Sequence, residues 1–363
     1  MTQRPRIDQV LAGFAEGDAI SQAAVAMQDA FRSWGCESEL FVDDRHVSVS
    51  VRDRCKPLSA YQGSPAGIVV HHYSIGSPAL DVFAKSPARK ILVYHNITPS
   101  ECFRGFDDAV ADSLDHARAE LSRVGALVDA VWAVSEFNAS ELRAAGLKNV
   151  KVFPLLFSAG SLDLPPDPMV TGKFTAALKT ILFVGRIAPN KKIETLIETF
   201  YWYHKLINPF SRLVIVGSER SCPRYFAMLR MQVGDLDLPN VCFEGFASPA
   251  GLPAYYRVAE AFLTTSEHEG YCLPLIEAMY MKVPVIARAI GGMPEALNGA
   301  GVLYDGLSPN ELAGLLHRVL SDDALRAEIL ASQEKRMQEV KARDVSAELK
   351  VLLRDMIPEL AHV

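Results

Sequence analysis

Two carboxylates eight positions apart, Glu269 and Glu277, bracket the stretch of this 363-residue chain best equipped for chemistry. Between them runs Gly270-Tyr271-Cys272-Leu273-Pro274. The apolar run Ala261-Phe262-Leu263 reads as a buried strand ending at Thr264-Thr265-Ser266. Pro274 suits the first turn of a following helix, because the first helical N–H has no partner to lose. Gly270 lets backbone approach a ligand, and the N–H groups of Tyr271, Cys272 and Leu273 would point from the helix start at whatever lies there. Backbone donors and the helix dipole together make such a start an anion site. An anion cradle between two hydroxyl-binding carboxylates suits a sugar joined to a ribose through a diphosphate.

A second group of charges precedes it. In Phe183-Val184-Gly185-Arg186-Ile187-Ala188-Pro189-Asn190-Lys191-Lys192 a strand delivers Gly185, then Arg186 and Lys191 follow five residues apart on the loop and helix start. Two cations at a strand end can neutralise a diphosphate leaving group, Arg as a planar fork and Lys as a point charge.

The stretch Glu269-Gly270-Tyr271-Cys272-Leu273-Pro274-x-x-Glu277-Ala278-Met279 resembles the E-G-F-G-L-P-x-x-E-A-M motif of retaining, nucleotide-sugar-dependent glycosyltransferases of the GT-B fold, family-4 (glycosyl transferases group 1) type. Gly185-Arg186 with Lys191 looks like the same family's G-R-x-x-x-x-K element. The resemblance implies two Rossmann-like doubly wound α/β domains facing a central cleft. It implies that Arg186 and Lys191 contact the distal phosphate of the donor, that Glu269 positions sugar hydroxyls and that Glu277 binds the donor ribose. Gly270, Tyr271, Cys272 and Leu273 would line the donor, with Gly185, Gly217 and Phe246 at neighbouring strand ends, Phe246 toward the base. The anomeric configuration would be retained and the leaving phosphate would accept the acceptor's proton. A double displacement would instead need a carboxylate at the anomeric carbon, and Glu269 is the nearest candidate. Cys272 departs from the pattern, standing where the family usually has Gly. Gly291-Gly292-Met293-Pro294-Glu295 is another glycine turn into a helix, whose role is a tight turn at least as readily as a ligand contact.

These residues need a scaffold, and the sequence supplies two. Its length exceeds one ordinary core. In the first half, strands Ile7 to Phe14, Leu40-Phe41-Val42, Gly67 to Val70, Ile91 to Tyr94 and Ala130 to Val134 alternate with helices, clearest at Ala19 to Trp34, Asp107 to Val124 and Glu136 to Ala145. In the second half, strands begin at Thr180, Leu213, Val241, Phe262, Val283 and Gly301. Alternation of this kind implies parallel sheets covered on both faces, with ligands beyond the carboxyl ends of the strands. A hinge is expected between Pro154 and Lys179, where Leu164-Pro165-Pro166-Asp167-Pro168 resists helix and strand alike. Residues 1–165 would form the acceptor domain and 166–344 the donor domain, the last helix crossing back over residues 345–363.

The first half's strand ends carry Gly17 and Asp18, His71 and His72, His95, and Ser135. By resemblance, His95 hydrogen-bonds near the reacting sugar, and Gly17, Asp18, His72 and Ser135 face the acceptor. Ser135 serves equally well as a helix cap, and His71 or His72 as a satisfied core histidine. The resemblance extends to bacterial surface-polysaccharide transferases, many using GDP-mannose, through Val93 to Pro99.

Composition excludes other classes. A net charge of −6 gives no basic field for nucleic acid. Six cysteines without C-x-x-C or zinc-like spacing point to reduced thiols in a cytoplasmic enzyme. No run of eighteen apolar residues spans a membrane, so at most the chain touches the inner face of one peripherally. No cofactor or metal is expected; the D-x-D triplet Asp235-Leu236-Asp237 reads as a solvated turn. The partners expected are a GDP- or UDP-sugar donor and a saccharide or lipid-linked saccharide acceptor in polysaccharide or O-antigen biosynthesis. A degenerate, non-catalytic transferase subunit would show eroded donor charges, and a nucleotide-sugar epimerase would lack this pairing of cations and carboxylates.

Overall fold

The computed structural model describes residues 5–175 and 177–357. Contacts divide the chain into two compact units. The first takes the chain up to Ile97, Asp112–Ser158 and the chain from Ala342 onward; the second takes Thr98–Ala111 and Ala159–Lys341. The boundary therefore falls at Ser158, and the short segment Thr98–Ala111 counts with the second unit.

The first unit is built on seven parallel strands: β1 Ile7–Leu11, β2 Leu40–Val42, β3 Lys56–Pro57, β4 Ile68–Tyr73, β5 Arg89–Tyr94, β6 Ala130–Ala133 and β7 Val150–Val152. Their order is β3-β2-β1-β4-β5-β6-β7, so successive connections run outward from β1 to one side and then, from β4, to the other. The order thus switches between β1 and β4, where a doubly wound sheet opens its crevice. Both strands are fully buried along their length, the polar Asp8 and Gln9 of β1 and His71 and His72 of β4 included. The helix Ala19–Ser33 buries Ala23, Ala24, Met27 and Phe31, one face at three- and four-residue spacing. The helix Val345–Leu353 also belongs to this unit; Leu349 and Leu353 are fully buried and Trp34 Nε1 donates to Ser346 Oγ at 2.8 Å.

The second unit has six parallel strands: β8 Lys179–Val184, β9 Ser211–Val216, β10 Val241–Gly245, β11 Ala261–Thr264, β12 Val285–Arg288 and β13 Val302–Tyr304. The order β10-β9-β8-β11-β12-β13 puts its switch point between β8 and β11. Those are the strands that deliver Gly185 and the Glu269 loop.

Several sequence expectations are corrected. The first strand stops at Leu11, not Phe14; past Gly13, Phe14 keeps only an isolated bridge to Val47. The helix expected over residues 107–124 is two helices, Asp108–Ala119 and Leu121–Gly125. The proline-rich stretch is not wholly irregular: Asp167 caps a short helix, Pro168–Lys173, and its first-turn proline needs no donor. The edge strands β3 and β7 escaped notice because they are two and three residues long and lack a fully buried face.

Candidate functional site

Beside the switch point of the second unit the ends of β8, β9 and β10 meet backbone to backbone. Gly185 N–H donates to Val216 O at 2.9 Å and Gly217 N–H to Gly245 O at 2.8 Å. A Cβ on Gly217 would lie 1.8 Å from Gly185 O, so no side chain fits there. The two glycines thus bring β8 and β9 together beneath the loop that carries Arg186 and Lys191.

Lys191 reaches across to the loop after β11. Its Nζ donates to Glu269 Oε1 at 2.5 Å, with both side chains nearly buried, and Ser266 Oγ donates to the same oxygen at 2.9 Å. The backbones are tied as well. Glu267 N–H donates to Asn190 O at 2.9 Å, and Asn190 Nδ2 to His268 O at 3.1 Å. Behind the loop, Gly292 N–H donates to Glu269 O at 2.9 Å, while a Cβ on Gly291 would lie 2.3 Å from that oxygen. The glycine pair read as a tight turn is therefore also the backstop of Glu269. Asn190 and Ser266 carried no chemical signal of their own in the sequence, because a lone polar residue acquires meaning only from the partner the fold gives it.

The helix Leu273–Tyr280 starts where the sequence implies, with Pro274 in its first turn. Cys272 precedes it at φ 69°, ψ 70°, a left-handed conformation that ordinarily favours glycine. The glycine of the motif is thus replaced in kind but not in shape: the backbone keeps the glycine-like turn and carries a thiol. Burial and the carboxylate of Glu269 push that thiol well above its ordinary range, so it is protonated. Tyr271 is buried beside it. One turn along, Glu277 accepts from Tyr256 O–H at 2.8 Å. Burial raises the Glu277 carboxyl, which the Tyr256 bond opposes. Tyr256 is a further residue that sequence reasoning missed.

Arg186 is exposed and, among the described residues, has no ion pair, so its fork is open to an anion. Phe246 follows the left-handed Gly245 and is 60% exposed, a ring presented to solvent. Asp235 ends the helix Pro223–Asp235 and Asp237 pairs with Lys205 at 3.2 Å; both are exposed.

In the first unit the switch point gathers histidines. His72 Nδ1 and His95 Nε2 are 2.8 Å apart, and His72 Nε2 is 2.8 Å from Gln9 Oε1. His71 turns away, with Nδ1 3.1 Å from Val10 O. Burial lowers all three, His71 to about 4 and His95 to about 3. The other expected acceptor-side groups are occupied structurally. Gly17 has φ 73°, Asp18 accepts from Ser21 N–H at 2.8 Å, and Ser135, fully buried, accepts from Asn138 N–H at 3.1 Å. Asp18 and Ser135 are helix caps.

Residues 173–336 match the family described as glycosyl transferases group 1, a span that contains Gly185, Arg186, Lys191, Glu269 and Glu277. D-inositol 3-phosphate glycosyltransferase of Acidothermus cellulolyticus is 32% identical over 159 residues, 41% of this chain and 35% of that protein. O-antigen chain mannosyltransferase B of Escherichia coli is 23% identical over 255 residues, 66% of this chain and 63% of that protein. The matches thus span less than two thirds of these relatives' lengths. Among solved structures, sucrose-phosphate synthase from Thermosynechococcus elongatus superposes with a TM-score of 0.74 at 18% identity, covering 98% of this chain and all of that one. Anabaena HepE in complex with UDP-glucose gives 0.70 at 18% identity over 99% and 100% of the two chains. The fold is GT-B.

Proposed function

We propose that the chain, whose residues 173–336 match the glycosyl transferases group 1 family, is a metal-independent hexosyltransferase that retains the donor's anomeric configuration. The observation that carries this reading is the Lys191–Glu269 contact at the β8/β11 switch point, above the Gly185–Gly217 approach and at the start of a helix. That arrangement offers a cation, a hydroxyl acceptor and a helix dipole to one ligand. The bond between the sugar's anomeric carbon and the diphosphate breaks while the acceptor oxygen bonds to that carbon. Negative charge grows on the departing diphosphate, where the open fork of Arg186, Lys191 and the helix start stabilise it. The acceptor's proton passes to the leaving phosphate. Glu269 accepts from sugar hydroxyls and Glu277 from the donor ribose.

The names of two relatives guide the choice of donor. O-antigen chain mannosyltransferase B and a GDP-mannose-dependent phosphatidylinositol monomannoside mannosyltransferase of Mycobacterium tuberculosis favour mannose from GDP-mannose. A saccharide or lipid-linked saccharide would be the acceptor, in building a surface polysaccharide such as an O-antigen, with the enzyme peripheral at the membrane's inner face.

A thermal-shift screen with GDP, UDP, ADP and their hexose conjugates tests the reading, first in chelator and then with divalent metal. Ligand at a thousand times its Kd stabilises by about 4 kcal/mol. A selective shift in chelator supports the donor site and names the nucleotide. No shift with any nucleotide, or one only with metal, refutes it.

A further inference from the structure

Where the loop after β8 meets the loop after β11, charges cancel almost one for one. Lys191 pairs with Glu269 at 2.5 Å, and Lys192 pairs with Glu267 at 3.2 Å and with Glu194 at 3.6 Å. Arg186 makes three cations against three carboxylates, and of these six it alone has no ion pair among the described residues. An anion arriving at this junction therefore meets one uncancelled cation, not three.

The Lys191–Glu269 pair is also held in place. Ser266 Oγ donates to the oxygen that Lys191 holds, and lies 2.9 Å from Thr264 Oγ1 in turn. Thr265 Oγ1 donates to Lys192 O at 2.7 Å, tying the two loops a second time. Gly292 N–H fixes the Glu269 backbone at 2.9 Å. The carboxylate thus has little freedom to withdraw from whatever Lys191 binds. A diphosphate oxygen bonded to Lys191 Nζ shares that nitrogen with Glu269 Oε1, which is 2.5 Å from it. At an ordinary charge-assisted bond length, the two oxygens then stand no more than about 5.5 Å apart. Both are negative.

We propose that Glu269 discriminates against the free nucleoside diphosphate in favour of the nucleotide-sugar, and so hastens release of the product nucleotide. This rests on the transferase reading for the identity of both ligands. While the sugar is attached, its hydroxyls donate to Glu269 and offset the repulsion between carboxylate and diphosphate. Transfer breaks the bond from the anomeric carbon to the diphosphate oxygen. The bonding pair stays on that oxygen, which takes the acceptor's proton. The terminal phosphate now has a second ionisation near about 6, so at neutral pH it passes that proton to water. The product then carries one negative charge more than the donor did, and the hydroxyls have left with the sugar. Glu269 faces the added charge with no bond to offset it, while Lys191, partly neutralised by Glu269, holds the diphosphate weakly.

Titration calorimetry in chelator tests this with GDP, UDP and ADP, and with GDP-mannose, UDP-glucose and ADP-glucose. The proteins are the wild type and Glu269→Gln, which removes the charge and keeps the shape. Glu269→Gln should bind the nucleoside diphosphate that the wild type prefers about tenfold more tightly, and its nucleotide-sugar no more tightly. Tenfold lies between the bulk-water and protein-surface limits for unit charges about 5 Å apart. A damaged fold weakens both ligands, so tightening of one is not a structural effect. Glu269→Asp, which keeps the charge, should not show the gain. Unchanged or weaker diphosphate binding by a folded Glu269→Gln, an equal gain for the nucleotide-sugar, or the same gain in Glu269→Asp overturns the proposal. If Glu269→Gln strands Lys191 and does not fold, the double variant Lys191→Met with Glu269→Gln is compared with Lys191→Met. The double variant should bind the diphosphate several-fold more tightly, and equal binding overturns the proposal. A wild type that binds none of the six ligands fails the transferase reading, and the proposal with it. Binding by the wild type without the Glu269→Gln gain fails the proposal alone.

Discussion

Lys191 Nζ lies 2.5 Å from Glu269 Oε1, joining two loops that leave adjacent strands of one sheet 78 residues apart in sequence. The pair is nearly buried, so removing one partner strands the other's charge. Lys191→Met should destabilise the protein by about 3 kcal/mol, and Lys191→Met with Glu269→Gln by less. Arg186→Ala should change stability by no more than about 0.5 kcal/mol, because Arg186 is exposed and has no ion pair among the described residues. It should still weaken nucleoside diphosphate binding. Urea unfolding beside calorimetric titration separates the two variants. Equal loss of stability in both would contradict this division of labour.

Cys272 holds a left-handed backbone that glycine adopts without strain. Cys272→Gly should leave stability unchanged or raise it by up to about 1 kcal/mol, while Cys272→Val should lose about 2 kcal/mol, since a β-branched side chain fits that conformation worst. Urea midpoints of both variants check the ordering. A Val variant as stable as wild type would show that the turn relaxes.

The legibility of this site in the sequence followed the same division. Glu269, Glu277, Arg186 and Lys191 could be singled out because they stand at the charged positions of the two motifs that the chain resembles, beside a strand end and a helix start. The alternation of short apolar runs with amphipathic helices likewise announced two parallel sheets. What could not be read was contact between distant segments. Ser266 on Glu269, Tyr256 on Glu277, Gln9 on His72 and the Gly291 backstop are pairs whose members look ordinary until the sheet order places them together. Asp18 and Ser135 both cap helices, a role the sequence already allowed for Ser135 and did not signal for Asp18.

Stability should depend on pH through the buried histidines. His71, His72 and His95 have depressed values in the folded protein, so they bind fewer protons there than when unfolded. Their contribution is fully present above the unfolded value of 6.5 and is lost as pH falls toward about 4 for His71 and about 3 for His95. Each adds a slope approaching about 1.4 kcal/mol per pH unit in that window. His95→Asn should flatten the curve by one such increment, measured by urea unfolding at several acid pH values. A slope unchanged from wild type would mean His95 is charged when folded.

Glu277 acts with the opposite sign. Burial raises its carboxyl, so its stability contribution is lost as pH rises from the unfolded value of 4.5 through the folded one. Glu277→Gln should therefore melt higher than wild type at neutral pH while binding the nucleotide more weakly, the exchange of stability for function expected where a site holds a charge in place. Thermal melts with and without nucleotide check both halves.

The most direct test of the central claim is release of nucleoside diphosphate from GDP-mannose and UDP-glucose, followed by mass spectrometry in chelator, for wild type and Glu269→Ala. The account predicts release by the wild type with one of the two donors and none by a folded Glu269→Ala. An equally active Glu269→Ala would contradict it.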